Sequence, residues 1–402
     1  AEGEGYISPI LVRKTKTPPS IPDRVKLNEK EATFFIQDIY EGEGLKGIPR
    51  GTVKSLRLHA YEYAYVKTRS DHNWHGIQSG WDIKRMLGTV PVEEDGSVIF
   101  KAPANTPISI QPLDKDGVAI QWMRSWVTGQ PGEVVSCIGC HEDQNQIAIP
   151  KRVIASQKAP SALTLPEGGT RSFTFDLEVQ PILDRACIAC HNGEGKAFDL
   201  RGGKKDKLGY GTSYLNLHPY VHRQGGEGDM VVLQPYEYHP NTSELVRLLK
   251  KGHHNVKLTD KEWKTLYNWI DYNAPDKGYF NANVLTDLPY KGFDQIKRRK
   301  ELTDKYANGA GVDWKKEIAD YADYLKKQGP ITPVMPEKAA PVKEKTLKVK
   351  GWPFGADRIK EMLAKEKETR KVVEIAPGVK VNFVRIPAGE FVMGSYRGEP
   401  DA

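Results

Sequence analysis

The four cysteines of this 402-residue chain stand in two copies of one short motif. The first copy is Cys137-Ile-Gly-Cys-His141, and the second is Cys187-Ile-Ala-Cys-His191. Two thiols at this spacing can bond to the two vinyl groups of one porphyrin, and the adjacent histidine can then ligate the iron. The motifs therefore predict two covalently bound haem c groups. The predicted attachment and ligating residues are Cys137, Cys140, His141, Cys187, Cys190 and His191.

A zinc site of the form C-x2-C…C-x2-C is the main alternative for the same cysteines. Such sites usually place about 15 to 20 residues between the two pairs. Here the 46 residues from position 141 to position 186 separate Cys140 from Cys187. A histidine also follows each pair directly. The spacing therefore favours haem over zinc, and also over a catalytic Cys-x-x-Cys redox pair.

Histidines outside the motifs are candidates for the second axial position of each iron. His253 and His254 lie in the stretch 252–255 between two predicted helices, where a c-type cytochrome chain passes the open face of its haem. If this stretch is extended, adjacent side chains point to opposite sides, so we expect only one of them to ligate, His253 before His254. The alternative is that both are surface residues. Weaker candidates for the same position are His218, His222 and His239.

Two further histidines, His72 and His75, lie in the irregular stretch 66–88 and are the nearest in sequence to the first motif. They are either surface histidines of a loop, or one of them lies over the first haem, or they bind a structural metal ion. Three large residues just before the motif either pack on the haem or belong to an ordinary core. These residues are Trp122, Met123 and Trp126.

The elements around the motifs predict an α+β multidomain chain. Alternating apolar residues and Asp-Gly turns indicate a small antiparallel β-sandwich that carries the first motif, with a strand at 119–126 leading to it. An apolar stripe over 175–186 indicates a helix that ends at Cys187. The predicted divisions are an extended connector at 1–30, a β-rich domain at 31–148, a linker at 149–170, a helical cytochrome-c-like domain at 171–290, a helical tail at 291–328, a linker at 329–350 and a last segment at 351–402.

Three later segments have clear local signals. Thr259-Asp-Lys-Glu262 has the form of a capping box and predicts the start of a helix. Asp313 is positioned as the N-cap of a second helix, which begins at Trp314. The stretch 379–394 alternates between apolar and polar residues and predicts a β-hairpin. These signals place helices and a hairpin after the second motif.

The composition indicates a globular protein, with 39% hydrophobic and 28% charged residues and a net charge of +7. Basic residues are dispersed among acidic ones, so no nucleic-acid partner is predicted. No stretch approaches the ~18 apolar residues of a membrane span. Because haem is normally attached to this motif outside the cytoplasm, we expect an extracytoplasmic protein, periplasmic or equivalent, whose signal peptide is not in the chain.

Two blocks of sequence together resemble the C-terminal di-haem region of the hydrazine synthase alpha subunit and related multidomain c-type cytochromes. The first block comprises Gly51-Thr-Val-Lys-Ser-Leu-Arg, Gly88-Thr-Val-Pro-Val-Glu-Glu-Asp-Gly-Ser and the stretch 123–142. The second block comprises 179–191, Gly252-His-His-Asn-Val-Lys-Leu and Trp269-Ile-Asp-Tyr-Asn-Ala-Pro. A third block, 385–395, resembles the opening strands of a formylglycine-generating-enzyme-like domain, without the metal-binding cysteines of active members.

The resemblance carries expectations for both haems. In the hydrazine synthase family a β-propeller precedes this region, the first haem is catalytic, and a tyrosine four residues after the motif histidine ligates its iron. Asn145 occupies that position here. The resemblance therefore implies a truncated or divergent member in which His141 ligates the first iron, and it weakens the case for synthase activity. It also implies that the second haem relays electrons and takes a histidine from 252–256.

The leading hypothesis is a di-haem c-type cytochrome that transfers electrons in an extracytoplasmic complex, with redox proteins such as other cytochromes or subunits as partners. One alternative is a haem-based redox enzyme of the hydrazine-synthase-alpha-like type that acts on small nitrogen compounds. The other is a structural haem subunit that forms a homo- or hetero-oligomer. The discriminating feature is the sixth ligand of the first iron, for which the sequence gives no convincing residue beyond His72 and His75.

Overall fold

The chain forms two compact units in a computed structural model. The first unit comprises Ala1–Gly252 and Val256–Pro336, and the second comprises His253–Asn255 and Glu337–Ala402. No helix among the described residues is both long enough and apolar enough to cross a membrane. The structure describes residues 13–14, 16–17, 19–20, 25–61, 76–77, 83–142, 145, 149, 151–195, 197–207, 209–224, 232–278, 294–306, 312–337, 355–365, 370–376 and 379–384.

The first unit contains two β-sheets. In the three-stranded sheet, β1 (Glu31–Ile36) lies between β4 (Val98–Pro103), which is antiparallel to it, and β6 (Val134–Cys137), which is parallel to it. The four-stranded sheet is antiparallel throughout. Its strands, in spatial order, are β5 (Ile108–Leu113), β2 (Ser55–Tyr61), β3 (Lys84–Pro91) and β7 (Arg171–Ser172).

Alternation along β2 gives the four-stranded sheet two buried faces. Leu56, Leu58 and Ala60 belong to an apolar core shared with the three-stranded sheet. Because successive strand residues point to opposite faces, Arg57 and His59 lie on the other side, where they contact residues at the end of a helix. The four-stranded sheet therefore lies between a second sheet and a helical layer.

The helical layer has its own core of large aromatic side chains. The ring of Phe175 lies 5.3 Å from the rings of both Tyr214 and Trp269, and all three side chains are fully buried. These edge-to-face contacts add to the stabilisation from burial. The helices of this layer are α1 (Phe175–Glu178), α2 (Gln180–Ala186), α3 (Thr212–Leu217), α4 (Glu244–Lys251) and α5 (Asp260–Asp271).

A buried ion pair joins β2 to α5. Arg57 Nη1 lies 2.9 Å from Asp271 Oδ2, and both side chains are almost wholly excluded from solvent. Arg57 Nη2 also donates to Asn268 Oδ1 at 2.6 Å, and Gln111 Nε2 donates to the Asp271 carbonyl at 2.7 Å. Ions in such a place are stabilised only when hydrogen bonds replace their lost hydration. The network therefore fixes the helical layer against the sheet.

Two further helices follow, α6 (Gln295–Tyr306) and α7 (Trp314–Lys327). The Tyr321 hydroxyl of α7 donates to Glu178 Oε2 at 2.9 Å. In the second unit, the described elements are the 3₁₀ turn His253–Asn255, α8 (Ala356–Ala364) and an antiparallel pair of strands, β8 (Arg370–Ala376) and β9 (Val379–Val384).

The structure confirms the mixed α+β class and the starts of α5 and α7. Thr259 and Glu262 form both hydrogen bonds of the capping box, and the Asp313 side chain accepts from Lys316 N. Two local predictions are wrong. Residues 119–126 form no strand, because only isolated bridges occur at Ala119 and Val127. The sandwich is also not wholly antiparallel. The predicted helix over 175–186 is confirmed: α1 and α2 are joined by Val179 in the helical conformation, and α2 has Cys187 as its C-cap.

The pairing of the predicted hairpin at 379–394 also differs in the structure. Its first strand, β9, pairs with β8, which precedes it in the sequence. Residues 385–394 lie outside the described residues. The four-stranded sheet takes strands from both sides of the predicted linker at 149–170, because β7 follows that linker. The structure therefore combines residues from two predicted domains in one unit.

Candidate functional site

The first motif is held by main-chain hydrogen bonds to β1 and the turn after it. β6 ends at Cys137, which lies opposite Ile36 in the parallel pair. Gln37 N then donates to the Cys137 carbonyl at 2.9 Å, and Cys140 N donates to the Glu41 carbonyl at 2.8 Å. The motif therefore follows directly from the end of the three-stranded sheet.

Two glycines allow this close approach of backbone to motif. A Cβ added at Gly44 would lie 2.5 Å from Cys140 Sγ, and one at Gly139 would lie 2.2 Å from the Glu41 carbonyl oxygen. Both distances are far below the ~3.5 Å of ordinary atomic contacts. Any side chain at either position would require the motif to move.

A cavity of about 450 Å³ lies beside the first motif. Cys137, Cys140 and His141 line it, and its charged lining residues otherwise are Arg124 and Glu142. Such a volume is within the ~300–1,000 Å³ range of cofactor pockets, which are mostly apolar with a few polar groups. The apolar part of its wall comprises Ile36, Ile39, Ile110, Pro112, Val127, Val232 and Leu233.

Gln121 connects the two sides of this cavity. Its Nε2 donates to the carbonyls of Gly44 at 2.8 Å and Leu233 at 2.6 Å, and its Oε1 accepts from Trp122 N at 2.8 Å. Gly44 N in turn donates to the Cys140 carbonyl at 3.0 Å. The amide therefore fixes the irregular segment after Ala119 relative to the loop that holds the motif.

The second motif follows α2 directly. Cys187 N donates to the Leu183 carbonyl at 2.8 Å, and His191 N donates to the Cys187 carbonyl at 2.9 Å. Arg185 of α2 forms an ion pair with Glu262 and donates to the Lys257 carbonyl at 3.0 Å. Because Glu262 also belongs to the capping box of α5, the start of α5 and the end of α2 are fixed together.

The His191 ring forms a hydrogen bond and an aromatic contact with Phe198. Its Nδ1 lies 3.0 Å from the Phe198 carbonyl, and the Phe198 ring lies 4.8 Å from it. A hydrogen bond from Nδ1–H to a carbonyl is the usual arrangement of histidines that ligate a metal through Nε2. The donor set at the second motif therefore fits an axial iron ligand.

The thiols of Cys137, Cys140 and Cys187 are free and partly buried, whereas Cys190 is exposed. Burial raises the pKa of Cys137, and it raises the pKa values of Cys140 and Cys187 to about 12. Thiols with such pKa values are protonated at neutral pH and are poor nucleophiles. Burial therefore disfavours the thiolate form of Cys137, Cys140 and Cys187.

The two cysteine pairs lie in separate parts of the first unit. Cys137 and Cys140 pack against the core between the sheets, whereas Cys187 packs against the core of the helical layer. Among the residues that the structure describes, no three His, Cys, Asp or Glu side chains converge as metal ligands. The geometry thus gives two sites, one at each motif.

The weaker histidine candidates have other partners. His218 Nε2 accepts a hydrogen bond from Arg223, and burial lowers the pKa of His218 to about 4. His239 Nδ1 accepts from Asn241 N at 3.2 Å, so its neutral ring carries the proton on Nε2 and has no lone pair there for iron. His222 is exposed, and its Nδ1 lies 2.8 Å from Thr242 Oγ1. None of these three side chains has the arrangement seen at His191.

The preferred candidates are not in an extended segment. His253–Asn255 form a 3₁₀ turn, with φ of 41° at His254. The rings of His253 and His254 contact each other at 4.5 Å, so the extended geometry from which opposite directions were expected is not present. The assignment of one of them to the second iron stays a prediction. His72 and His75 lie outside the described residues.

Sequence reasoning missed the roles of Gln121 and Gly44. Neither belongs to a motif, and their function depends on a contact between segments about 80 residues apart, which local patterns do not encode. Met123 is one of the residues expected to pack either on the haem or in an ordinary core. It lines the cavity at the first motif together with Trp122.

The chain has a mixed α+β fold with several antiparallel strand pairs, and it carries one candidate site at each motif. A family model described as the hydrazine synthase alpha subunit middle domain matches residues 51–142. The matched stretch begins just before β2 and ends directly after His141, so it contains the first motif. The chain therefore contains a hydrazine synthase alpha-like region.

Two other comparisons concern solved structures and curated proteins. The solved structure titled Kuenenia stuttgartiensis hydrazine synthase is similar with a TM-score of 0.46 and 18% sequence identity. The similarity covers 62% of this chain and 44% of that one, so less than half of the hydrazine synthase chain is represented. No curated protein matches the sequence.

Proposed function

We propose that this chain binds two covalent haem c groups and acts as a haem-based redox enzyme of the hydrazine-synthase-alpha-like type, with its reaction site at the first haem. The observation that carries the proposal is the family match over residues 51–142, which includes the first motif and much of the cavity beside it. The substrate class, by similarity, is small nitrogen compounds.

The residues of the first site fit a porphyrin. Cys137 and Cys140 would form the thioether bonds, His141 would hold the iron, and the apolar wall would exclude water. Arg124 is the one Lys or Arg among the described residues that line the cavity, and it would pair with a propionate. When bound, the haem supplies an iron that exchanges electrons with a small ligand.

The second site supplies or removes electrons. Cys187 and Cys190 would hold the second haem, and His191 would ligate its iron through Nε2 because Nδ1 is engaged by the Phe198 carbonyl. By the same resemblance, His253 or His254 would supply a further ligand, and this haem would relay electrons. Unequal axial ligation would separate the two reduction potentials.

Ligand binding to the reduced protein tests the proposal. The ferrous spectrum should change on addition of carbon monoxide or nitric oxide at one haem of the two, because under this proposal only the first haem would accept a small ligand. A pyridine haemochrome assay should give two haems per chain. Absence of ligand binding at both haems would reject the enzyme, and absence of haem would reject both sites.

An electron carrier is the second candidate, and Met123 is the observation that favours it. Met123 is the only thioether among the described residues of the cavity at the first motif. A Met ligand opposite a His typically raises the reduction potential and closes the iron to small ligands. In that case carbon monoxide would bind only after Met123→Leu. The control is Met86, a buried methionine outside that cavity, and Met86→Leu would leave the spectrum unchanged.

The environment and partners follow from the same proposal. A chain with two covalent haems would be assembled outside the cytoplasm, in the periplasm or an equivalent compartment. Its partners would be redox proteins, either other cytochromes or further subunits of a complex. A role as a structural haem subunit of a homo- or hetero-oligomer remains the third candidate, and a haem-free variant that still assembles would support it.

A further inference from the structure

Three aromatic side chains lead away from the cavity at the first motif. Trp122 lines that cavity, and its ring stacks on the Tyr238 ring with the two centroids 5.4 Å apart. The Tyr238 ring in turn lies 5.0 Å from the ring of His222, which is exposed. Aromatic rings in contact have centroids about 4.5–7 Å apart. The three rings therefore form a continuous series of contacts from the cavity to the surface.

A second series of rings starts at the second motif. The His191 ring lies 4.8 Å from the Phe198 ring, which stacks on the Tyr220 ring at 5.5 Å. Only one residue separates Tyr220 from His222, so the bonded main chain joins the two series. Ring contacts and bonded atoms thus connect the predicted axial ligand of the second haem to the wall of the first site.

Backbone hydrogen bonds fix the stacked tryptophan and tyrosine beside each other. Tyr236 N donates to the Ile120 carbonyl at 2.8 Å. The next residue, Gln121, donates through its side chain to the Leu233 carbonyl at 2.6 Å. These two bonds hold the segment that contains the tyrosine against the segment that contains the tryptophan. The stacking therefore does not depend on the rings alone.

The ring of His222 is also held in place. His222 N donates to Ser243 Oγ at 3.0 Å, and its Nδ1 lies 2.8 Å from Thr242 Oγ1. The Thr242 hydroxyl donates to the carbonyl of His239, the residue directly after Tyr238, at 2.7 Å. The contact between the histidine and tyrosine rings is therefore fixed by hydrogen bonds on both sides.

Packing of the apolar cores does not account for these contacts. Trp122 and Tyr238 are half-buried, and neither belongs to the two cores that the described residues form. Electronic coupling between two redox centres falls off more slowly through bonded atoms and touching rings than across open gaps. A row of rings between two redox sites is thus a path along which an electron can pass.

We propose that this aromatic row is the route by which single electrons pass between the two haem sites. Its rings belong to Trp122, Tyr238, His222, Tyr220 and Phe198. The proposal rests on the proposed function, because it needs a haem at each motif. In each transfer one electron leaves the second iron, which changes from ferrous to ferric, and reduces the first iron from ferric to ferrous. No proton moves, and the rings supply electronic contact without being oxidised.

Flash reduction of the oxidised, haem-loaded chain tests this route. A photochemically generated flavin semiquinone supplies less than one electron per chain, and the absorbance of each haem is then followed. Transfer between the haems appears as a phase with opposite changes at the two haems and a rate independent of protein concentration. Tyr238→Leu should slow this phase several-fold, because it opens a gap in the row. Tyr238→Phe keeps the ring and should keep the wild-type rate.

Two further variants complete the test. Tyr236→Leu removes an exposed tyrosine ring of the same segment that lies outside the row, so the rate should not change. His222→Ala interrupts the row at an exposed side chain, so it should fold normally and slow the phase as Tyr238→Leu does. Tyr238 does not line the cavity at the first motif, and we expect the same reduction potentials in Tyr238→Leu and the wild type.

Three results would overturn the route. The first is the absence of a concentration-independent phase in the wild type. The second is a wild-type rate in both Tyr238→Leu and His222→Ala. The third is equal slowing in Tyr236→Leu and Tyr238→Leu, which would assign the effect to disturbance of their segment. Haem content and carbon monoxide binding report on the proposed function separately, so a variant rate that does not change would reject the route and leave that function standing.

Discussion

Gly44 shows how a single residue outside a motif can control it. Its α-carbon lies so close to Cys140 that a methyl group would overlap the sulfur, at 2.5 Å. We predict that Gly44→Ala displaces Cys140 and prevents complete haem attachment at the first motif. The pyridine haemochrome assay should then fall from two haems per chain to one, while the second haem keeps its spectrum.

The control for this variant is Gly195→Ala. A Cβ at Gly195 meets no atom within 4 Å, and this glycine lies near the second motif. The control should retain two haems. If Gly44→Ala also retains two haems with unchanged spectra, then the loop at 42–44 does not define the first site.

The candidate residues of the two motifs come from the sequence, whereas the residues that position them do not. The spacing of the cysteines and histidines predicts haem attachment, because one porphyrin fixes the distance between its two attachment points, and this stays a prediction. Gln121 and Gly44 act through contacts with distant segments. No local pattern distinguishes this glutamine from an exposed one.

Among the elements, the segment that follows α5 shows the effect of burial on a carboxyl group. Residues 272–278 turn back along the helical layer, and the Asp276 carbonyl accepts from Phe175 N at the start of α1. Burial raises the pKa of Asp276 to about 7, which the neighbouring Lys277 only partly opposes. The side chain is 6% exposed, so solvent screens it little.

The raised pKa predicts how stability depends on pH. In the unfolded chain the pKa of an aspartate is about 3.9, so the folded state binds the proton more tightly. This contribution to stability is fully present below pH ~4 and is lost as pH rises towards 7. We predict that Asp276→Asn stabilises the protein at pH 8, by up to about 4 kcal/mol at ~1.36 kcal/mol per pKa unit.

Urea unfolding at several pH values would measure this effect. The difference in unfolding free energy between Asp276→Asn and the wild type should be small at pH 4 and grow up to pH 7. Asp116→Asn removes one exposed carboxylate and serves as a control for the loss of charge. A difference that stays constant with pH would show that Asp276 does not gain a proton on folding.

Helices were predicted better than strand partners, for a physical reason. The capping box of α5 and the N-cap of α7 are formed by residues three positions apart, so the sequence contains the whole interaction. The parallel pairing of β6 with β1 joins residues about a hundred positions apart. β6 also follows the irregular segment after Ala119, for which the alternating pattern predicts a strand.

At the scale of the whole molecule, the predicted β domain and the predicted cytochrome-like domain belong to one compact unit. The Arg57–Asp271 pair joins them, and β7 extends the four-stranded sheet from beyond the predicted linker. The buried pair is costly to break, because one partner alone is an uncompensated charge in a low-dielectric interior. Unfolding of one layer would therefore expose that charge and the apolar face of the other layer.

We predict that the two sheets and α1–α5 unfold in one cooperative transition. Heating followed by far-ultraviolet circular dichroism and by absorbance of each haem should give coincident midpoints. Asp271→Leu should lower the unfolding free energy by about 3–5 kcal/mol, because it leaves the buried Arg57 without its negatively charged partner. Both haem signals should shift together in this variant, although neither residue belongs to a haem motif.

The double variant Arg57→Met with Asp271→Leu separates this effect from a general loss of packing. Replacement of a whole buried ion pair by apolar residues of similar size is often nearly neutral. The double variant should therefore recover most of the stability lost in Asp271→Leu and keep the coincident transitions. If the circular dichroism and the two haem signals separate in the wild type, then the layers are independent domains, as the sequence alone suggested. If they separate only in Asp271→Leu, then the ion pair itself couples the two haem-bearing layers.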